Sequence, residues 1–148
     1  MLTRDELIER LQPFISMLQL RDTVAALYLF GSYATGRQTS LSDIDLAVLF
    51  DVSVEKEAFL AERLKLLGEM SSILGTDAVE LVILNESPPT LGYRVTRDGV
   101  LLHASDNSNS QIISFKVKTW DRYFDYQPTQ RIFSDGLARR IQEGRYGG

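Results

Sequence analysis

Apolar and polar positions along the chain form blocks that predict strands interleaved with helices. Three apolar runs of strand length cover residues 24–30, 44–50 and 78–84, and polar segments separate them. A fourth short run, at 100–103, follows a segment that opens on two prolines. This order is typical of an α+β fold of mixed α/β character, with a small mixed central β-sheet flanked by helices.

The ends of the helices also have sequence signals. Thr3 and Glu6 have the spacing of a capping box, which predicts the start of a first helix. A proline inside a helix removes a hydrogen bond, so Pro13 predicts a break in that helix near Gln12. The predicted helices cover residues 3–20, residues 54–74 and an amphipathic segment at 111–126 that Pro128 closes.

Length and charge predict one domain with a tail. A chain of 148 residues suits one compact domain, which we place at residues 1–127, including the last helix. Residues 128–148 hold four arginines against one aspartate and one glutamate, so this tail carries +2 and the rest −6. A basic tail on an acidic body indicates contact with a partner or a phosphate-bearing ligand. A solvated, flexible terminus fits the same composition.

Composition excludes several classes of protein. The chain is 44% hydrophobic and 24% charged, as is usual for a globular domain, and it has no apolar run long enough to cross a membrane. Its net charge of −4 argues against direct nucleic-acid binding, which needs a basic face. Zero cysteines and an N-terminus without a signal peptide fit a cytoplasmic protein.

The candidate chemistry lies between the first two predicted strands. Asp43 and Asp45 are two residues apart, so both side chains lie on one face of the second strand. Two adjacent carboxylates repel each other unless a cation neutralises them, and their oxygens suit Mg²⁺. Gly31 and Ser32 end the first strand, where a tight turn and free N–H groups suit a phosphate. Together the two pieces predict a site for a nucleotide and metal.

Phosphoryl chemistry with two Mg²⁺ ions calls for a further acidic ligand. Asp77 follows a glycine and a threonine and has the setting of a turn residue, whereas Glu80 interrupts an apolar strand. We therefore predict Glu80 as the third carboxylate. A solvated outer face of an edge strand is the alternative explanation of Glu80.

These residues resemble a known family. Gly31-Ser32, ten further residues and then Asp43-x-Asp45, with Ala34, Gly36, Ser42 and Leu46 also in place, resemble the DNA polymerase β-type nucleotidyltransferase superfamily. The chain is most similar to its minimal branch, the MNT (MntA-like) antitoxins that pair with HEPN toxins. The signature covers about residues 28–49, and weaker similarity spans most of the chain. Glu80 departs from the pattern, because the family usually has aspartate there.

The resemblance implies the nucleotidyltransferase fold and a Mg²⁺-dependent protein adenylyltransferase. Such a protein is an antitoxin that transfers AMP from ATP onto a tyrosine of its cognate HEPN RNase toxin, with which it forms a hetero-oligomer, and so neutralises it. Gly31, Ser32 and Arg37 would then contact the ATP phosphates, and Asp43, Asp45 and Glu80 would be the catalytic and metal-binding carboxylates. Two alternatives stay open. One is nucleotidyl transfer to a small hydroxyl compound such as an antibiotic; the other is an antitoxin that acts by binding alone.

Four further features have two interpretations each. Arg37 could contact the triphosphate or be a solvated loop residue. A helix before Gly99 could direct either Arg94 or Arg97 at the nucleotide, or neither. His103, the single histidine, fits a packed sheet residue better than a general base. The final helix is apolar on so many sides that it suggests a partner surface with Trp120 and Tyr123 as anchors, or a helix buried deeply in its own domain.

Overall fold

A four-stranded mixed sheet forms the centre of the protein. The computed structural model describes the backbone of residues 2–142 and the side chains of residues 2–125. The strands lie in the order β3-β2-β1-β4; β1 is antiparallel to β2 and β4, whereas β2 and β3 are parallel. They are β1 (Val24–Phe30), β2 (Ile44–Phe50), β3 (Val79–Ile83) and β4 (Val100–Ala104). The predicted mixed α+β fold is thus confirmed.

Six α-helices, in the described part of the chain, connect and cover these strands. The break predicted near Gln12 is present, because Leu11 separates the first two helices and Pro13 lies in the first turn of the second. The Thr3 side chain accepts a hydrogen bond from the Glu6 N–H at 3.1 Å, as a helix cap. The helices are α1 (Arg4–Arg10), α2 (Gln12–Leu18), α3 (Ser32–Thr35), α4 (Phe59–Leu74), α5 (Pro89–Asp98) and α6 (Asn109–Gln142), with 3₁₀ turns at Lys56–Ala58 and Leu84–Glu86.

The last helix is longer than the sequence pattern predicted. We expected it to close at Pro128, but α6 continues to Gln142, so that expectation is wrong. A proline costs one backbone hydrogen bond locally, and the strong helix formers that follow, including Leu137 and Ala138, favour helix again. Side chains beyond residue 125 lie outside the described residues, as does the backbone from 143 on. The basic tail at 128–148 therefore stays a prediction.

The sheet is buried on both faces, which explains why β1 is apolar at every position. One face packs against α1, α2 and α4 through residues such as Phe14, Leu46 and Met70. The other face packs against α5 and α6 through residues such as Ala47 and Val95. Across residues 2–142, no helix combines the length and the apolar character that a membrane crossing requires.

Candidate active site

Asp45 lies near the start of the central strand β2, with a neighbouring strand on each side. In the strand pairing it stands opposite Phe30 of β1 and opposite Glu80 of β3. Alternate residues of β2 point to opposite faces, so Asp45 shares the α5 and α6 face with Ala47. Because residues opposite each other in neighbouring strands point the same way, the side chains of Asp45 and Glu80 lie on that same face.

Gly31 lies directly against Asp45. Its φ angle is +74°, a left-handed conformation that L side chains rarely adopt. A Cβ atom placed on Gly31 would lie 3.0 Å from Cγ of Asp45 and would collide with its Oδ2 atom. Only glycine therefore lets the end of β1 approach the carboxylate this closely.

The short helix α3 starts at this glycine and is held in place through its carbonyl groups. At its start, the first N–H groups, of Ser32 and Tyr33, have no acceptor within the helix, as at every helix N-terminus. At its end, Gly36 adopts φ +76° and the Arg37 N–H donates to the Ser32 carbonyl at 2.9 Å. Nη1 of Arg4 in α1 donates to the Ala34 carbonyl at 3.2 Å and ties α3 to the domain.

A cavity of about 630 Å³ opens over these residues. The end of β1, helix α3, one residue of β2, two residues of β3 and one side of α5 form its walls. Its lining residues are Phe30, Gly31, Ser32, Thr35, Arg37, Asp45, Glu80, Val82, Leu91, Arg94 and Asp98. The volume and the mixture of apolar walls with a few polar groups are those of a small-molecule site.

The electrostatics of the cavity centre on Asp45. Burial raises the pKa of Asp45 above its ordinary value of 3.8, and the nearby carboxylates of Glu80 and Asp43 raise it further. The Arg94 guanidinium acts in the opposite direction and lowers it. A partly buried carboxylate beside two other carboxylates is a group that a bound cation would stabilise.

Five of the six predicted site residues line this cavity, and the sixth, Asp43, lies beside it. Gly31, Ser32, Arg37, Asp45 and Glu80 all line the cavity. Asp43 precedes β2 and is exposed; it is not among the lining residues, but it is close enough to raise the pKa of Asp45.

The two candidates for a third carboxylate are separated by the fold. Glu80 lines the cavity over Asp45, whereas Asp77 lines another cavity, beside Gly75 and Thr76 at the end of α4. Glu80 is also exposed on an edge strand, as the alternative explanation required. The edge position leaves this carboxylate open to the cavity, and its role as the third carboxylate stays a prediction.

Comparisons with known proteins agree with this geometry. Residues 12–108 match the model of the family described as Polymerase beta, Nucleotidyltransferase. The chain is a member of the polymerase beta nucleotidyltransferase family. The matched region contains Gly31, Asp45 and Glu80, so it covers the whole of the cavity described above.

Relatives along nearly the whole chain place this nucleotidyltransferase more narrowly. It is 32% identical to the protein adenylyltransferase MntA of Shewanella oneidensis over 147 residues. The aligned region covers 99% of this chain and 96% of that protein. It is also similar to a chain in a crystal structure of a toxin-antitoxin with AMP-PNP, with 28% identity, a TM-score of 0.61 and coverage of 93% and 99%. For a chain in a crystal structure of the toxin-antitoxin MntA-HepT, the identity is 26%, the TM-score 0.54 and the coverage 91% and 96%. The resemblance to MntA-like proteins is thereby confirmed.

The nucleotidyltransferase offers a chemically suitable donor set for Mg²⁺. Within residues 2–125, no three histidine, cysteine, aspartate or glutamate side chains come close enough together to hold a metal ion. Mg²⁺ usually takes only one or two carboxylates and completes its shell with water and substrate phosphates. Asp45, whose ionised form is disfavoured by burial and by its acidic neighbours, supplies such a ligand in the wall of the cavity of about 630 Å³. The residues present therefore fit this metal.

Helix α5 contributes residues that the sequence pattern left open or missed. Arg94 lines the cavity, whereas Arg97 forms two hydrogen bonds to Asp98, of 2.9 and 2.7 Å, and lies over the ring of Tyr93. Leu91, Arg94 and Asp98 are spaced three and four residues apart, so they share one face of the helix. That spacing was the available signal; choosing the face required knowing which side of α5 meets the sheet.

Two other predicted features lie away from the cavity. His103 is buried on β4, opposite Leu27, as expected of a packed sheet residue. On α6, Trp120 donates to the Thr96 hydroxyl at 2.8 Å, and Tyr123 stacks on Tyr93 with ring centroids 3.8 Å apart. These two aromatic residues therefore pack within the domain. Exposed apolar side chains remain on the same helix, at Ile113, Val117 and Phe124.

Proposed function

We propose that this protein is an antitoxin that transfers AMP from ATP onto a tyrosine of a cognate HEPN RNase toxin, working in the cytoplasm. The observation that carries the proposal is the single cavity that joins the Gly31–Ser32 turn, Asp45 and Glu80. The relatives support the acceptor and the partner, since one is named a protein adenylyltransferase and others are chains of toxin–antitoxin crystal structures.

The cavity provides complementary positions for the parts of ATP. The N–H groups at the start of α3 face an anion favourably, which suits the β- and γ-phosphates beside Gly31 and Ser32. Arg37 and Arg94 line the same space and bring positive charge to a triphosphate. The apolar side chains of Phe30, Val82 and Leu91 leave room for the nucleoside.

We further propose that the activity depends on two Mg²⁺ ions, shared among Asp43, Asp45, Glu80 and the ATP phosphates so that neither ion needs all three carboxylates. Bound there, Mg²⁺ would neutralise negative charge on the phosphates as pyrophosphate departs. Glu80 differs from the aspartate usual at this position by one methylene, which extends its reach from the edge strand.

The transfer reaction requires that the phenol and the phosphates are correctly positioned and that one group accepts the phenolic proton. The phenolic oxygen forms a bond to the α-phosphorus of ATP, and the bond from that phosphorus to the oxygen bridging to the β-phosphate breaks. Pyrophosphate leaves with the electron pair, and the phenolic proton passes to the Glu80 carboxylate. Residues of α3 and Arg94 hold the phosphates in place during the exchange, which contributes most of the acceleration in reactions of this kind.

The decisive test uses the protein together with the product of the neighbouring reading frame, which should encode a small helical protein with an Arg-x4-His motif. With ATP labelled on the α-phosphate, label should appear on that partner, and the intact mass of the co-expressed partner should rise in steps of one AMP. The double variant Asp43→Asn plus Asp45→Asn should transfer no label. Transfer that survives the double substitution would show that the site is elsewhere.

The same experiment distinguishes the proposed function from the two alternatives, nucleotidyl transfer to a small hydroxyl compound and neutralisation by binding alone. An enzyme acting on a small hydroxyl compound would label no partner protein. An antitoxin that acts by binding alone would neutralise the toxin equally well with Asp43→Asn plus Asp45→Asn, and the partner's mass would stay unchanged.

A further inference from the structure

A second cavity lies beside the first and shares a wall with it. It measures about 530 Å³ and runs along the edge strand β3, between the start of α4 and the turn after β3. Glu80, Val82 and Leu91 line both cavities, so these three residues form the boundary between them. Lys56, Leu60, Arg63, Ile83 and Glu86 also line the second cavity.

The position of this cavity matches a requirement of phosphoryl transfer. The attacking and leaving oxygens lie roughly in line on either side of the phosphorus that is transferred. If the Gly31–Ser32 turn holds the departing pyrophosphate, the attacking group must arrive from the opposite side of Asp45. In the sheet, Phe30 of β1 stands on one side of Asp45 and Glu80 of β3 on the other. The second cavity lies on the Glu80 side.

The chemistry of the walls suits a polypeptide that carries an aromatic hydroxyl. Val82, Ile83 and Leu91 offer apolar surface to a ring, and the Glu80 carboxylate stands at the border with the first cavity. Lys56 and Glu86 place charges of both signs at the same cavity, where the polar backbone of an extended segment would be accommodated.

Leu60 is the most informative residue of this cavity. It lies in the first turn of α4 and is 64% exposed, although it belongs to a large apolar residue type. The neighbouring Arg63 is held in place, since its Nε donates to the Leu81 carbonyl of β3 at 2.6 Å. This bond joins α4 to the edge strand at the wall of the cavity that Leu60 also lines.

We infer that the second cavity is the acceptor site, which binds the tyrosine-bearing segment of the partner protein and delivers its phenolic oxygen past Glu80 to the α-phosphate. This inference rests on the proposed function, because it names the binding site of that reaction's acceptor. Leu60 is the apolar contact for the acceptor segment and has no part in ATP binding.

The test compares two exposed leucines on one helix. Leu60→Asp and Leu60→Arg place opposite charges in the second cavity, and both should raise the KM for the partner protein about tenfold or more. The KM for ATP should stay within about twofold of the wild-type value in both variants. Leu64, one turn later and 54% exposed, lines a different cavity. Leu64→Asp and Leu64→Arg are the matched controls and should leave both KM values unchanged.

Each outcome decides something. If the wild-type protein labels its partner and the Leu60 variants do so with an unchanged KM, the acceptor site is elsewhere while the proposed function stands. If the Leu60 and Leu64 variants lose activity equally, the effect is not specific to this cavity and the inference fails. If the wild-type protein labels no partner at all, the proposed function fails and the acceptor site with it. Thermal unfolding and binding of AMP-PNP show that each variant is folded.

Discussion

Gly31 lies so close to Asp45 that a methyl group on its α-carbon would collide with the Asp45 carboxylate. Fourteen positions apart in the sequence, the two residues meet because β1 and β2 are antiparallel neighbours and Asp45 pairs with Phe30. The glycine–serine turn and the acidic pair of the family signature therefore contact each other directly. A substitution of Gly31 should displace the Asp45 carboxylate, and a larger side chain at position 45 should displace the turn.

Gly31→Ala should reduce AMP transfer by about 100-fold, because the new methyl group would push the Asp45 carboxylate by roughly an ångström. Since φ is +74° at this position, the variant should also lose about 1–3 kcal/mol of stability. Initial rates with labelled ATP and thermal unfolding measure the two effects.

Gly75→Ala is the matched control for this variant. Gly75 has φ +69° but no heavy atom within 4 Å of an added Cβ, and it lies at the end of α4. Its substitution should cause a similar loss of stability with normal transfer. Equal loss of transfer in both variants would mean that backbone strain, and not the contact with Asp45, explains the effect.

Arg94→Ala should raise the KM for ATP about tenfold, whereas Arg97→Ala should change it little. Arg94 lines the cavity, whereas Arg97 does not line it and is hydrogen-bonded to Asp98. Because Arg94 lowers the pKa of Asp45, its removal should also move the acidic limb of the pH–rate profile to higher pH. A profile that moves equally in both variants would contradict the assignment.

The strands that carry the site were predictable because of how they are buried. β1 and β2 are covered on both faces, so they are apolar at every position except Asp45, and the polar turn between them is sharply marked. The acidic pair stands out for the same reason, since carboxylates are rare at the start of such a strand. Composition and spacing were therefore sufficient to single out Gly31, Ser32, Asp43 and Asp45 as candidates, and the structure brings all of them except Asp43 to the lining of one cavity.

Other parts depend on tertiary pairing that no local pattern contains. Nothing near Glu80 indicates that β3 is parallel to β2, in the register that places Glu80 opposite Asp45. Likewise, the choice between Arg94 and Arg97 depends on which face of α5 meets the sheet. Trp120 and Tyr123 looked available to a partner because the Tyr93 ring they pack on lies in another helix.

Acidification should destabilise the protein through its single histidine. Burial lowers the pKa of His103 below its ordinary value of 6.5, while Asp106 and a hydrogen bond to the Val24 backbone act in the opposite direction. The unfolded chain therefore takes up the proton first, and the stability that neutral His103 provides is lost as the pH falls below 6.5. His103→Gln should show a smaller fall in unfolding free energy between about pH 7 and pH 5.

The comparison is made on the slope with pH and not on absolute stability, because glutamine also changes the packing on β4. Among the described side chains, Nε2 of His103 is buried without a hydrogen-bond partner, so protonation there gains no compensating bond. Equal slopes for the two proteins in denaturant titrations would contradict this account.

Mg²⁺ together with AMP-PNP should stabilise the wild-type protein. At a ligand concentration about 100 times the dissociation constant, the gain should be about 2.7 kcal/mol, visible as a rise in Tm. EDTA should remove the part of this stabilisation that depends on Mg²⁺. That EDTA-sensitive part should be absent in the double variant Asp43→Asn plus Asp45→Asn. An EDTA-sensitive gain of the same size in the double variant would show that these two carboxylates do not hold the metal.

Asp45→Asn should make the metal-free protein more stable at neutral pH while abolishing transfer. The folded-state pKa of Asp45 is raised, mainly by burial and then by Glu80 and Asp43, so the stability of the protonated form is present below 3.8 and is lost as the pH rises through the raised pKa. The stability advantage of asparagine should therefore be largest near pH 7 and shrink towards pH 4.

Asp51→Asn is the control with the opposite expected effect. Hydrogen bonds from Ser53 lower the pKa of Asp51, so replacing it with asparagine should destabilise the protein at pH 7. If both variants lose stability at pH 7 in EDTA, Asp45 carries no electrostatic strain that a metal could relieve.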